Sequence, residues 1–414
     1  MAQTTVNRYR PPRDGANRPR HVHSTRTRRR FLRRRIAAVV LLFLMACLIW
    51  LTFSLGGALL NPALGSSLGS RFAEWARGHG ASSIVNWTEN EWYKHHPPPV
   101  GGTLPPGSIR TPSSSNPTNV ISSSYLPTPK PMVPFASPAV PGEGDWSPVG
   151  RRVDGVAAIY ETALRPDAVH TSYVVGVAWM DTKLLHASLY SGSQIPGGGP
   201  YPLTAPIKTS AARSLVAAFN AGFLMNNAEG GYYTAGKVVI PLRKGAASFV
   251  VYRNGSSNVV SWGNGTTLNH SIVSVRQNLD LLVNDGRPVA GLNANDTTKW
   301  GYTLGNAVYV WRSGLGITAD GALVYVGGPG LNITDLANLL VRAGAVRAME
   351  LDINTDWVNF SSYRPSTPHG IAAASNGREL LASMTGTPAR YFETWWARDF
   401  ITMTAVTNLK GTKG

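Results

Sequence analysis

The stretch Val310–Asn354, VWRSGLGITADGALVYVGGPGLNITDLANLLVRAGAVRAMELDIN, decides the fold. It predicts a strand, a tight turn at Asp320-Gly321 and a returning strand over Ala322–Val326. A helix follows, capped by Asn332 or Thr334. Its apolar positions Ile333, Leu336, Leu339, Leu340 and Ala343 recur at helical spacing, and Gly344 stops it. The last strand, Val346–Ile353, alternates: Met349, Leu351 and Ile353 on one side, Glu350, Asp352 and Asn354 on the other. Two residues along a strand put the Glu350 and Asp352 carboxylates about 6–7 Å apart on one face. Arg312, on the first strand of this unit, brings a cation. Two acids on a rigid strand with an arginine beside them suit the cleavage of a sugar–oxygen bond next to an anion.

The segment resembles the phosphodiester glycosidase family. Three pieces carry the resemblance: Ala218–Phe223 (AFNAGF), Arg312–Gly321 (RSGLGITADG) and the helix LNITDLANLLVRAGAV. It extends weakly over residues 153–407 and is strong in the last third. One departure stands out. Where the family closes its strand in Asp-Gly-Gly-Gly-Ser, this chain has Asp352-Ile353-Asn354-Thr355-Asp356, keeping the aspartate and losing the glycines. Such an ending is similar to that of membrane-anchored actinobacterial members.

The resemblance implies a hydrolase acting on a glycan or sugar-phosphate substrate, and it gives the site residues provisional roles. Asp352 faces the anomeric carbon of an oxocarbenium-like state, its alternative being a turn cap. Glu350 is the second catalytic candidate, unless it only pairs with Arg312 or Arg347. Arg312 has the donor fork to clamp a phosphate, or it forms a salt bridge to Glu350 or Asp320. Asn220 can hold a sugar hydroxyl or close an Asx turn, and Gly222 lets backbone approach a ligand. Asn354 either lines the pocket or makes a turn. No cofactor and no protein-bound metal are expected, calcium at the oxygen-rich 352–356 segment being a weak alternative. His186, His270 and His369 are scattered singly, and His95-His96 lacks a further ligand at useful spacing.

The 414-residue chain carries a formal charge of +17, which is uneven. Residues 1–35 hold twelve arginines and one acid, Asp14, so +11 of the +17 lies there and +6 remains for the rest. This block directly precedes an almost unbroken apolar run over 36–60, long enough to span a bilayer. Arginines before such a run stay in the cytoplasm and place the downstream residues outside. Charge of this kind is topogenic, and nucleic-acid binding is not expected. A cleaved twin-arginine signal (Thr27–Arg33, with Ala63-Leu64-Gly65 as cleavage site) is the alternative to a retained anchor. Cys47, the only cysteine, excludes an internal disulfide.

The expected organisation is a basic disordered cytoplasmic tail over 1–35, a transmembrane anchor over 36–60 and a juxtamembrane helical segment over 61–96. A Pro/Ser-rich linker over 97–150 and a glycosidase-like domain over 151–414 complete it. Short β-rich runs separated by Asn-Gly and Asp-Gly turns dominate after residue 151. They predict an α+β domain, mostly a large mixed sheet with few helices packed on it, in which the Ala322–Ile353 stretch is a β-α-β unit. Gly197–Gly199 and Gly327-Gly328, with no lysine-bearing helix behind them, are expected as ordinary loops. The competing functional class is a non-catalytic glycan- or envelope-binding protein on the same fold.

Overall fold

The structure is a computed structural model describing residues 25–81, 83–85, 87–88, 91, 98–110, 124–296, 299–301, 308–367 and 369–406. The first 24 residues, His95-His96 and linker residues 111–123 lie outside the described set. The chain divides into two units, residues 1–57 and 58–414.

The first unit is represented by helix α1, Thr25–Leu60. From Arg30 onward it is long and apolar enough to cross a membrane, with most of its apolar side chains exposed.

The second unit is β-rich, with every named strand pair antiparallel. Its largest sheet has eight strands in the order β1 (Ser147–Val153), β2 (Val156–Leu164), β3 (Val175–Met180), β14 (Leu323–Leu331), β13 (Val310–Thr318), β15 (Ala345–Glu350), β11 (Leu281–Asn284), β12 (Arg287–Pro288). A five-stranded sheet runs β7 (Lys237–Ile240), β6 (Tyr232–Thr234), β10 (Ile272–Gln277), β8 (Ala247–Tyr252), β9 (Ser257–Ser261). A second runs β17 (Gly377–Glu379), β16 (Phe360–Tyr363), β5 (Leu215–Asn220), β18 (Phe400–Ala405), β4 (Leu185–Tyr190). The large sheet foreseen from sequence is therefore three sheets. The expected β-α-β unit is present with one modification: β14 and β15 flank β13, and each is antiparallel to it.

Two helices matter in this unit. α2, Leu68–Gly78, begins at a capping box made by Ser67 and Ser70, and falls within the expected juxtamembrane segment. α3, Ile333–Arg342, is entered through Asn332, whose side-chain oxygen accepts from Asp335 N at 2.9 Å while the Asp335 carboxylate accepts from Asn332 N. This reciprocal cap satisfies donors that a helix start leaves open. Gly344, at φ +94°, ends it.

Alternation along each strand sorts the core into two layers. On one face of the eight-stranded sheet, Val175, Val177, Val324, Val326 and Ala348 pack under Ile333, Leu336, Leu339 and Leu340 of α3. On the other face, Met180, Leu315, Tyr325 and Met349 meet Leu189, Phe219, Phe360 and Ile401 from one small sheet and Tyr232 and Phe249 from the other. The eight-stranded sheet is thus covered on both sides.

Two sequence expectations are corrected. Gly327-Gly328 lies inside β14, not in a loop. A Cβ at Gly328 would come within 2.7 Å of Val175 on the adjacent β3, so the glycine answers to close backbone approach. The Pro/Ser-rich stretch is in part packed, and not wholly a spacer. Leu126, Met132 and Ala136 are buried, Leu126 and Met132 join the layer under α3, and Glu143 is held by Arg165 at 2.8 Å. Composition concealed this because a few apolar side chains among prolines suffice to dock an extended chain.

Leu336→Ala at the α3 interface is expected to cost about 2–5 kcal/mol, whereas removal of the cap by Asn332→Ala costs about 1 kcal/mol. Thermal midpoints of the full chain in detergent should fall in that order.

Candidate active site

The site is built around β13. Arg312 and Ser313 are neighbours on that strand, so they project to opposite faces of the eight-stranded sheet. Arg312 goes to the α3 side. There its Nη1 donates to Glu350 Oε1 at 2.6 Å and to the Trp300 carbonyl at 3.2 Å, and its Nε donates to the Leu331 carbonyl at 3.1 Å. Both members of the ion pair are buried, Arg312 at 1% exposure and Glu350 at 0%. Burial pushes the Glu350 carboxyl up to about 7, and the Arg312 guanidinium opposes that rise. Arg312 therefore faces its own acid and main-chain carbonyls, not a solvent-open hollow. The pairing with Glu350 is what the structure contains.

Ser313 goes the other way, toward the small sheet that carries β5. Its hydroxyl accepts from Asn220 Nδ2 at 3.0 Å and from Asp352 N at 3.1 Å, and it donates to the Asp352 carbonyl at 3.2 Å. Asn220 Oδ1 in turn accepts from Tyr325 OH at 2.9 Å and Asn359 N at 3.1 Å. Asn220 thus serves as a buried tie between β5, β13, β14 and the segment entering β16.

The expected shared face for Glu350 and Asp352 is not maintained. β15 ends at Glu350. Beyond it, Leu351 N donates to Ser313 O and Ser313 N donates to Asp352 O, both at 2.8 Å, so two residues stand against the single Ser313 in the manner of a β-bulge. Strict alternation breaks there, and the two acids take different partners. Glu350 joins Arg312, while Asp352 Oδ2 lies 3.9 Å from Arg398 Nη1 and its Oδ1 accepts from Ile353 N at 2.8 Å. Burial raises the Asp352 carboxyl to about 6, with Arg398 the main opposing charge.

Beside this pair lies a second buried couple, Arg276 and Asp399 at 2.7 Å, both sealed from solvent. Arg276 also donates to the carbonyls of Gln277 and Phe223. Asn278 ties the same turn down, accepting from Phe223 N at 3.1 Å and donating to the carbonyls of Glu350 and Leu351 at 3.0 and 3.2 Å. Gly222 sits under these groups: a Cβ there would meet the Arg276 guanidinium at 3.1 Å and Asn278 Oδ1 at 3.2 Å. Its smallness accommodates protein side chains. Asn354 caps a turn, its Oδ1 accepting from Asp356 N at 2.8 Å, which is the alternative reading of that residue. Asp356 hydrogen-bonds Ser66, while Asp352 faces Arg398. Among the described residues no group of three His, Cys, Asp or Glu side chains is arranged to hold a metal ion.

Sequence reasoning missed Arg276, Asn278, Ser313, Arg398 and Asp399. One signal was available: Arg276-Gln277-Asn278 is a run of three polar residues continuing an apolar strand, and all three are completely buried. Arg398-Asp399 immediately before the apolar β18 is a similar anomaly.

A three-sheet β domain with an Asp–Arg pair at a strand end, flanked by a second sealed ion pair, is the framework into which the comparisons fall. Residues 213–352 match the phosphodiester glycosidase family model, whose members are hydrolases, and the match ends at Asp352. No curated protein matches the chain. Among solved structures, the chain is similar to the catalytic domain of zebrafish N-acetylglucosamine-1-phosphodiester alpha-N-acetylglucosaminidase, described as auto-inhibited by its pro-peptide. That likeness has 12% identity, 67% of this chain, 87% of that one and a TM-score of 0.37. A hypothetical protein from Synechocystis aligns at 14% identity over 61% of this chain and 63% of its own, with a TM-score of 0.34. A putative exported protein from Burkholderia pseudomallei aligns at 12% identity over 56% of this chain and 74% of its own, with a TM-score of 0.26.

Arg312→Met would leave Glu350 sealed without its counter-charge, at a cost of about 3–5 kcal/mol near neutral pH. The loss shrinks as pH falls, because a neutral Glu350 needs no partner. Replacing both, Arg312→Met with Glu350→Leu, should be less destabilising than Arg312→Met alone. Melting curves of the three proteins between pH 5 and 8 check both statements.

Proposed function

We propose that the protein is a membrane-anchored hydrolase that cleaves the bond between an anomeric carbon and phosphate in a sugar-1-phosphodiester or a related envelope glycan, outside the cytoplasm. The observation that carries this reading is the Asp352–Arg398 pair. Arg398 Nη1 is buried, has no hydrogen-bond partner and stands 3.9 Å from Asp352 Oδ2. An unmatched guanidinium donor beside a carboxylate suits a substrate that develops positive charge at carbon and negative charge on a departing oxygen. The family match over 213–352 supports the same class of reaction.

In this reading Asp352, ionised, faces the developing oxocarbenium centre. Arg398 faces the phosphate and takes the role first expected of Arg312. A phosphate monoester is a good leaving group, so one carboxylate and one cation can serve without a strong general acid. Asn278 holds the strand end that leads into Asp352, Arg276–Asp399 holds the neighbouring Gly222 turn, and Asn220 with Ser313 holds the Asp352 backbone. The apolar run over 36–60, preceded by twelve arginines, supports a cytoplasmic N-terminus and an external catalytic domain.

Asp352→Asn in the full chain is expected to lower release of sugar from a panel of sugar-1-phosphodiesters by about 10²–10⁴-fold. Its melting temperature should hold or rise, because burial already favours the neutral form of this side chain. Turnover requires ionised Asp352, so the rate should climb with pH through a midpoint near 6. Arg398→Met removes the charge that lowers this acid and should move that limb to higher pH. Wild-type protein that binds envelope glycan but turns over none of the panel would establish the non-catalytic alternative.

A further inference from the structure

The segment after Asp352 leads to a second pocket that the hydrolase reading does not use. It is a cavity of about 230 Å³, at the small end of ligand sites, and it lies beside Trp357, Trp395, Trp396 and Arg390. Trp357 and Trp396 have ring centroids 5.7 Å apart and planes inclined at 59°. Trp395 lies 6.0 Å from Trp396 and is only partly buried. Arg390 stacks over Trp396 at 4.8 Å, and its Nη1 donates to the Asp356 carbonyl at 3.1 Å. One wall comes from far away in the sequence: Ser66, just before α2, hydrogen-bonds the Asp356 carboxylate, and Arg71 of α2 lines the same space.

Two residues of this lining each carry a buried polar atom without a hydrogen-bond partner, Arg390 Nε and Trp396 Nε1. Both residues are more than nine-tenths buried. Each atom can only donate, so its match is an acceptor oxygen. The charged groups around the cavity balance, Arg71 and Arg390 against Asp356 and Glu393. A balanced lining does not select an anion. Indole faces accept the C–H face of a small ring, and unmatched donors accept its hydroxyl or carbonyl oxygens.

We infer that this tryptophan pocket is a binding site for a single neutral saccharide ring, bordered by the juxtamembrane segment. It goes beyond the hydrolase reading and does not depend on it. The two sites are adjacent through Trp357, which lines the pocket on one side and carries Arg398 over its ring at 4.4 Å on the other.

The test uses the full chain in a detergent without a sugar headgroup. Neutral hexoses, an N-acetylhexosamine and, separately, inorganic phosphate are titrated by calorimetry, and amide hydrogen exchange is followed over residues 62–78. A neutral sugar should bind saturably and slow exchange around Ser66–Arg71. Trp396→Phe, which keeps an aromatic ring and removes the donor, and Trp395→Ala should each weaken binding at least about tenfold (about 1.4 kcal/mol). Arg390→Met should do the same, and the melting temperature of each variant shows whether it remains folded. Asp352→Asn should leave binding unchanged, which separates failure of the pocket from failure of the hydrolase. Binding of phosphate alone, no saturable sugar binding by folded wild type, or sugar binding indifferent to Trp396→Phe and Trp395→Ala would each overturn the inference.

Discussion

One hydroxyl governs the geometry of the site. Ser313 Oγ is shared between Asn220 and the backbone of Asp352, and Asn220 passes the constraint on to Tyr325 and Asn359. These contacts join the eight-stranded sheet to the sheet carrying β5 at a place where no strand pairing joins them. A buried polar group left without a partner costs as much as a lost hydrogen bond or more, so the network holds only as a whole. The position of the Asp352 carboxylate depends on it, since the bulge that turns that residue away from Glu350 closes on Ser313.

Charge is used at two levels in the domain. Arg312–Glu350 and Arg276–Asp399 are sealed and close, and they make sense as fixtures that orient the strand end and the Gly222 turn. Such pairs contribute less to net stability than to geometry, because desolvation offsets much of their attraction. Arg398 and Asp352 differ. At 3.9 Å they are an incomplete pair, and Arg398 Nη1 is left unmatched. An unmatched buried donor costs stability, and the proposed function gives the one at Arg398 a role.

The described part of the stretch between the apolar helix and the domain is more than spacing. Ser66 reaches Asp356, Leu126 and Met132 enter the layer under α3, and Glu143 anchors on Arg165. These residues give the second unit part of its core and part of its second cavity.

Much of the architecture was legible in the residues. Asp320-Gly321 turns, the capped apolar face of Ile333–Arg342, and β-rich runs such as Leu215–Asn220 and Phe400–Ala405 depend on local chemistry and near-neighbour spacing, so one sequence suffices to see them. The apolar run over 36–60 behind twelve arginines was legible for the same reason. Among the charged residues, the Arg312–Glu350 pairing was one of the alternatives the residues offered, but the partners of Asp352 and Arg276 were not legible. Alternation placed Glu350 with Asp352, yet a bulge against Ser313 separated them, and Arg398, Asp399 and Arg276 reached the site from strands far apart in the chain. Sequence alone determined the strand-turn-helix framework and the presence of a candidate acid at 352. Tertiary structure decided which cation that acid faces, because ion pairing depends on distances across sheets that no local pattern encodes.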